Sequence, residues 1–199
     1  MSFGFDGFAA PPAVSVEVTT NAYRIAGTIR TPFHRVAEIL NQLPSGHLSF
    51  EDATIVEHAG GAATRAATAI VAADEVLIMV ASGLSDPARD DMHIEKRPIR
   101  VQVAIPPLRL AGTVHVTMGS RSIDGLLNVP DRFLPMTDVT VSSSAHPQLD
   151  ASVPVLAFRR DRAQVLIVAD DEDSDELLAD VLDEGTARSW LGPGEEPAR

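Results

Sequence analysis

The sequence predicts a mainly β protein made of two tandem small antiparallel β-barrels followed by a C-terminal helix. The first observation behind this prediction is that the chain contains two copies of one sequence pattern. The alternating valines of Val14–Val18 return 85 residues later within Ile99–Val103, and Arg24–Thr28 returns at the same offset as Arg109–Thr113. Similarity at a fixed period indicates a tandem duplication. The second observation is that apolar residues alternate with period 2, which is typical of strands with one buried face.

Each repeat is expected to have the element order β-β-α-β-β-β and the size of an SH3 or Sm-like barrel. The first strand alternates over Val14–Val18. The second strand, near Tyr23–Arg30, carries Gly27 on its apolar face, and the second copy has Gly112 there. An interior strand glycine marks a bend or a close approach of two backbones. We therefore expect the sheet to curl at these glycines.

A short helix follows the second strand, because the apolar period changes from 2 to 3.6. A third strand and a final hairpin complete each repeat. The shared Val-Leu-Ile sequence, at 76–78 and 165–167, aligns the two last strands. The helix positions are Val36, Ile39, Leu40 and Leu43 in the first copy and Ile123, Leu126 and Leu127 in the second.

These elements divide the chain into five segments. The predicted order is a Phe/Gly-rich tail at 1–12, the first barrel repeat at 13–82, a linker at 83–96, the second barrel repeat at 97–169, and an acidic helix with its tail at 170–199.

Composition limits the function. The chain has 199 residues, 45% of them hydrophobic, no cysteine and a net charge of −12. Without cysteine there are no disulfides, no thiolate metal sites and no cysteine nucleophiles. No basic stripe of the kind that binds nucleic acid is visible, and no segment has the roughly 18 apolar residues of a membrane span. We expect a cytoplasmic protein that binds neither nucleic acid nor membranes.

Both ends of the chain carry candidate partner-binding residues. Nine carboxylates and no basic residue lie in 170–184, where an apolar stripe at helical spacing predicts an amphipathic helix. This helix either packs on its own barrel or docks on a partner. Three phenylalanines in the glycine-spaced N-terminal tail either cover the adjacent barrel or bind a partner. The candidates are Phe3, Phe5, Phe8, Leu177, Leu178, Val181 and Leu182.

No group of residues predicts catalysis, a cofactor or a metal site. Asp52 and Asp138 occupy equivalent positions, which could place two carboxylates at a pseudo-twofold axis, but a structural role at a strand entrance is the favoured interpretation. The six histidines lack metal-ligand spacing. Ser142–Ser144 precede His146 without the glycine-flanked turn of a serine nucleophile. We therefore expect a protein that is not an enzyme.

The repeated unit resembles a family of uncharacterised bacterial β-rich domains of unknown function. The resemblance rests on Arg24–Thr28, on the helix ending Leu126-Leu127-Asn128, and on Phe133–Val141. The second copy, about 97–169, is the more similar one. The resemblance implies a structural scaffold and brings no activity, cofactor or catalytic residue with it.

Two hypotheses of function follow. The first is a non-catalytic protein–protein interaction, assembly or adaptor protein, whose partner is another protein or further copies of the chain. The second is a small-ligand or signal-binding protein with a pocket between the barrels. Arg24 and Arg109 would line that pocket, because paired guanidinium groups suit an anionic ligand.

Overall fold

A computed structural model describes residues 10–84, 96–117 and 129–168 of the chain. These residues form ten strands and one short α-helix. The first repeat contains β1 (Ala13–Thr19), β2 (Tyr23–Arg30), α1 (Val36–Asn41), β3 (His47–Glu57), β4 (Thr64–Ala72) and β5 (Ile78–Ser82). The second contains β6 (Lys96–Ile105), β7 (Leu108–Thr117), β8 (Phe133–Ser142), β9 (Ala151–Arg159) and β10 (Val165–Val168).

All ten strands belong to one open antiparallel sheet, so the prediction of two small barrels is wrong. The order across the sheet is β10-β6-β7-β8-β9-β5-β1-β2-β3-β4. In each repeat the last strand pairs with the first. A barrel would need the last strand to pair with the fourth as well. Instead, β5 pairs with β9 of the other repeat, so the two repeats continue one sheet. The expected C-terminal helix and the helix of the second repeat fall outside the described residues.

Each repeat buries one alternating face of its strands. In β1 the inward residues are Val14, Val16 and Val18, and in β6 they are Ile99, Val101 and Val103. The predicted alternation is therefore confirmed in both first strands. The helix α1 adds Val36, Ile39 and Leu40 to the core of the first repeat, as their spacing predicts. It ends at Asn41, two residues before Leu43, which packs against this core from beyond the helix.

The two hydrophobic cores lie on opposite faces of the sheet. Along β5, Ile78 belongs to the core of the second repeat and the next residue, Met79, to the core of the first. Along β9, Ala157 belongs to the first core and Phe158 to the second. Successive side chains of a strand point to opposite faces. The sheet therefore covers one core with each face.

The repeated glycine lies at a β-bulge in both copies. Pairing of β2 with β3 shifts at Gly27, and pairing of β7 with β8 shifts at Gly112. A Cβ atom at Gly27 would lie 2.9 Å from the carbonyl oxygen of Glu51, and one at Gly112 would lie 2.9 Å from that of Thr137. The close backbone approach predicted from the sequence is confirmed, because only glycine leaves room for the facing strand.

Asp52 and Asp138 are the bulge residues opposite these glycines. Both have positive φ, 52° and 53°, inside a strand. Aspartate is among the few side chains that tolerate this conformation. The expected structural role of the pair thus rests on backbone conformation within β3 and β8 rather than on capping a strand entrance.

Equivalent positions of the last strands follow from the pairing. Thr19 of β1 lies opposite Ile78, and Ala104 of β6 lies opposite Val165. Ile78 is therefore equivalent to Val165. The alignment of the two Val-Leu-Ile sequences predicted above is wrong by two residues. It nevertheless assigned each side chain to the correct face, because strand faces repeat every two residues.

Candidate interaction site at the sheet edges

Within the described residues, the only strand pairing between the two repeats is a short joint between β5 and β9. Ile78 pairs with Phe158 and Met79 with Ala157. The backbone N–H of Arg159 extends the pairing by donating to the carbonyl oxygen of Leu77 at 2.8 Å. We call this contact, from Leu77–Met79 to Ala157–Arg159, the inner joint.

The inner joint exchanges side chains between the two cores. Ile78, from the first repeat, is 5% exposed in the core of the second repeat. Ala157, from the second repeat, is fully buried in the core of the first. Burying these side chains removes apolar surface from water on both faces of the sheet. Each repeat therefore completes the other's core.

A buried arginine fixes the inner joint. Arg159 is 5% exposed, and its guanidinium group donates to both carboxylate oxygens of Asp161, at 2.7 and 3.0 Å, and to the carbonyl oxygen of Asp74 in the first repeat. Arg132 donates to the Asp74 carboxylate at 2.7 Å and lies 3.8 Å from Asp161. A planar guanidinium group suits this fork-like pairing. We call these four residues the arginine clamp.

The charges of the clamp shift the pKa values of its members. The hydrogen bond from Arg132 and its charge lower the pKa of the Asp74 carboxyl group. The hydrogen bond from Arg159 lowers the pKa of Asp161, and the same bond raises the pKa of Arg159. Each ionised group is therefore favoured by an opposite charge within bonding distance.

A side-chain amide closes a second contact between the repeats. Asn41, at the end of α1, donates from Nδ2 to the carbonyl oxygen of Phe133 at 2.9 Å and accepts the Phe133 N–H at 2.9 Å. The amide thus bonds both polar groups of one β8 residue as a neighbouring strand would. It lets Phe133 enter the core of the first repeat with its backbone satisfied.

Loops at the far end of strands β3 and β8 form a third contact. The rings of His58 and His146 are tilted, with centroids 5.3 Å apart. Gln148 donates to the carbonyl oxygen of His58 at 2.9 Å, and Nε2 of the buried His58 lies 3.0 Å from the carbonyl oxygen of Thr20. These histidines therefore pack between repeats.

The strand β4 forms one free edge of the sheet. In the described part of the chain it pairs with β3 alone. It is nine residues long, Arg65 is its one charged residue, and Ile70 is 70% exposed. Natural edge strands are commonly protected by charges, proline or short length. By these criteria, and among the described residues, β4 is an unprotected edge.

The strand β10 forms the opposite edge. Among the described strands it pairs only with β6. Its four residues are all aliphatic, and Val165 is 37% exposed. Ile70 and Val165 are two of the four large apolar side chains that the described residues expose, together with Tyr23 and Val155. Each free edge thus presents one of them.

The structure does not bring Arg24 and Arg109 into one pocket. Arg24, on β2, bonds the Glu17 carboxylate at 2.7 Å, and Arg109 lies half-buried on β7. Both occupy the face of their repeat away from its core. Because the cores lie on opposite faces, the two arginines point to opposite sides of the sheet. Four strands, β8, β9, β5 and β1, separate their strands.

The other candidates lie elsewhere. Phe3, Phe5, Phe8, Leu177, Leu178, Val181 and Leu182 are outside the described residues. The hydroxyl of Ser143 donates to the carbonyl oxygen of Pro107 and accepts the His146 N–H, which is the bonding of a structural loop. Over 10–84, 96–117 and 129–168 no three His, Asp or Glu side chains are grouped as metal ligands. In the same residues no helix has the length and apolar character to cross a membrane.

Sequence reasoning missed the two edges, the inner joint and the clamp. A signal for the joint was present, because Val76-Leu77-Ile78-Met79 is apolar at four successive positions. Unbroken apolar runs indicate a strand buried on both faces. No comparable signal marks Arg159, whose role depends on Asp74 being brought across the joint.

Comparison of the chain with family models, with curated proteins and with solved structures gave no match.

Proposed function

We propose that this chain is a non-catalytic assembly protein that binds a protein partner by adding a strand to its open β4 edge. The observation that carries the proposal is the inner joint, where the equivalent strand β9 accepts β5 from the other repeat. Addition of a strand to a sheet edge is a recurring mode of protein recognition. The proposal includes action in the cytoplasm, as expected from the sequence.

Backbone directions along β4 support this function. The N–H of Ala73 donates to the Gly46 carbonyl oxygen, on the side of β3, at 2.9 Å. Backbone donors alternate in direction along a strand. The N–H groups of Ala72, Ile70 and Thr68 therefore point away from β3, toward the side on which a partner strand would lie.

A proline scan of the edge tests the proposal. Ala72→Pro removes the outward N–H equivalent to that of Arg159 at the inner joint, and Ala72 has a φ of −65°, which proline adopts. This variant is expected to abolish partner binding while the fold persists. Ala67→Pro is the matched control, because its nitrogen faces β3 and the equivalent position of β9 is already Pro154. Binding is measured as the mass of the purified chain in solution and the proteins it retains, with circular dichroism as the check on folding.

Loss of partner binding in Ala72→Pro alone supports strand addition. Equal binding by both variants and the unmodified chain shows that β4 is not the binding edge. A chain that is strictly monomeric and retains no partner in any variant overturns the assembly function itself.

A further inference from the structure

We infer that the strand added to β4 is β10 of a second copy, so that copies join head to tail through an outer joint built like the inner one. This inference rests on the proposed function and names its partner. Residue pairing supplies the geometry. Because Phe158 and Ala157 of β9 are equivalent to Val71 and Ile70 of β4, the outer joint pairs Val71 with Val165 and Ile70 with Leu166 of the next copy.

The two free edges are formed by the strands equivalent to the two strands of the inner joint. Across the sheet, β9 of the second repeat meets β5 of the first. The strand equivalent to β9 is β4, and the strand equivalent to β5 is β10. One edge of the molecule therefore repeats one side of an existing interface, and the other edge repeats the other side. Two copies can form that interface again without any change in the fold.

The exposed apolar side chains lie where the inner joint exchanges side chains. Ile70 is equivalent to Ala157, which is fully buried in the neighbouring repeat, but is itself 70% exposed. Val165 is equivalent to Ile78, which is 5% exposed, but is itself 37% exposed. An outer joint would insert each of these side chains into the core of the neighbouring copy. This removes apolar surface from water at both edges.

The sequence of β10 suits burial on both faces. Val165-Leu166-Ile167-Val168 is apolar throughout, as Val76–Met79 is at the inner joint. Ile78 and Met79 of β5 are buried, whereas the equivalent Val165 and Leu166 of β10 are not. A strand with one solvent-facing side normally alternates apolar and polar residues. The unbroken run therefore indicates a second neighbour.

The outer joint lacks the arginine clamp, so it should be reversible. Arg159 is equivalent to Ala72, and Arg132 to Gly46, as the pairing of Phe133 and His47 shows. No guanidinium group then crosses from one copy to the next at this point. The net charge of −12 on each chain also opposes association. We expect assembly that increases with protein concentration and with salt, which screens the repulsion.

The outer joint uses different surfaces on the two copies. Such an interface propagates as an open chain of molecules or closes into a ring, whereas an interface of like surfaces stops at the dimer. A copy with one edge blocked can therefore bind only one other copy, through its remaining edge, and the test uses this property.

The test uses the full chain with one edge blocked at a time, measured by sedimentation velocity over a range of concentrations. Ile70→Lys blocks the β4 edge and Val165→Lys blocks the β10 edge. Each variant alone should be monomeric, and their mixture should form a one-to-one dimer and nothing larger. Val155→Lys, on a similarly exposed valine of β9 away from both edges, is the matched control and should assemble like the unmodified chain. Thermal unfolding checks that all variants fold.

Several results would overturn the inference. Self-association of Val165→Lys alone would indicate that β4 pairs with β4. A mixture that stays monomeric while the unmodified chain assembles would place the contact elsewhere. If the unmodified chain is monomeric at every concentration but Ala72→Pro still loses another protein, β4 binds a different partner. In that last case the proposed function stands and the head-to-tail contact fails.

Discussion

The strands β9 and β4 occupy the same position in the two repeats, but β9 is joined to the other repeat, whereas β4 pairs with β3 alone in the part of the chain that the structure describes. At its end β9 carries Phe158 and Arg159, where β4 carries Val71 and Ala72. The ring of Phe158 is larger than the Val71 side chain and is buried in the core of the second repeat. The guanidinium group of Arg159 donates to the carbonyl oxygen of Asp74 in the other repeat and to the carboxylate of Asp161 in its own. At the equivalent position, the strand that carries the clamp arginine pairs with the other repeat, whereas the strand that carries alanine has no second neighbour among the described residues.

The largest expected effect comes from breaking the clamp. Arg159→Ala removes a buried guanidinium group and leaves the Asp74 carbonyl oxygen and the Asp161 carboxylate without their donor. We expect the free energy of unfolding to fall by about 2 kcal/mol, since hydrogen bonds to charged groups contribute roughly this much. Chemical denaturation measures the change.

The neighbouring Arg162→Ala is the control, because Arg162 is exposed. If the two variants are equally stable, the clamp does not hold the inner joint, and the difference between β9 and β4 must lie in their apolar residues alone.

A smaller effect is expected from transplanting the arginine to the open edge. In Ala72→Arg, the new guanidinium group can bond Asp74 of its own chain and a carbonyl oxygen of the next copy, as Arg159 does at the inner joint. Self-association should tighten by about 5-fold, or about 1 kcal/mol. Sedimentation equilibrium gives the dissociation constant. Equal tightening by Ala72→Met would assign the gain to apolar contact, and no tightening would contradict the equivalence of the two joints.

The smallest effect is a pH dependence of the inner joint. The pKa of Asp161 is lowered in the folded chain by its hydrogen bond from Arg159. The stabilisation from this pair is therefore complete above the ordinary carboxyl value of about 4 and is lost as the pH falls through the lowered folded value. The stability difference between the unmodified chain and Asp161→Asn should be constant near neutral pH and shrink in acid. A difference that is the same at every pH would contradict this.

The parts of the fold that depend on local pattern were predictable. The alternating valines of β1 fixed its buried face, and Gly27 marked the close approach of two backbones. Whether each repeat closes into a barrel could not be predicted from local pattern. Whether β5 completes a barrel or continues into β9 depends on which edge it meets, and alternation specifies the face of a strand but not its neighbour.

The candidate site was less accessible to sequence reasoning than the fold. Arg24 and Arg109 match between the repeats, whereas the residues that distinguish the inner joint from the sheet edges differ between them. Arg159 has alanine as its counterpart, and Ile70 has the smaller Ala157. Positions that match between the repeats therefore belong to the shared scaffold, and an inner contact differs from an outer edge at positions that do not match.

The exchange of Ile78 and Ala157 between the two cores has a consequence for unfolding. Neither repeat can open without exposing part of the other's core, because each core includes side chains that belong to its neighbour. Since Ile78 lies on a strand that also pairs with β1, disturbing one half is transmitted directly to the other. The two repeats are therefore expected to melt in a single cooperative transition, and a duplicated sequence becomes one thermodynamic unit.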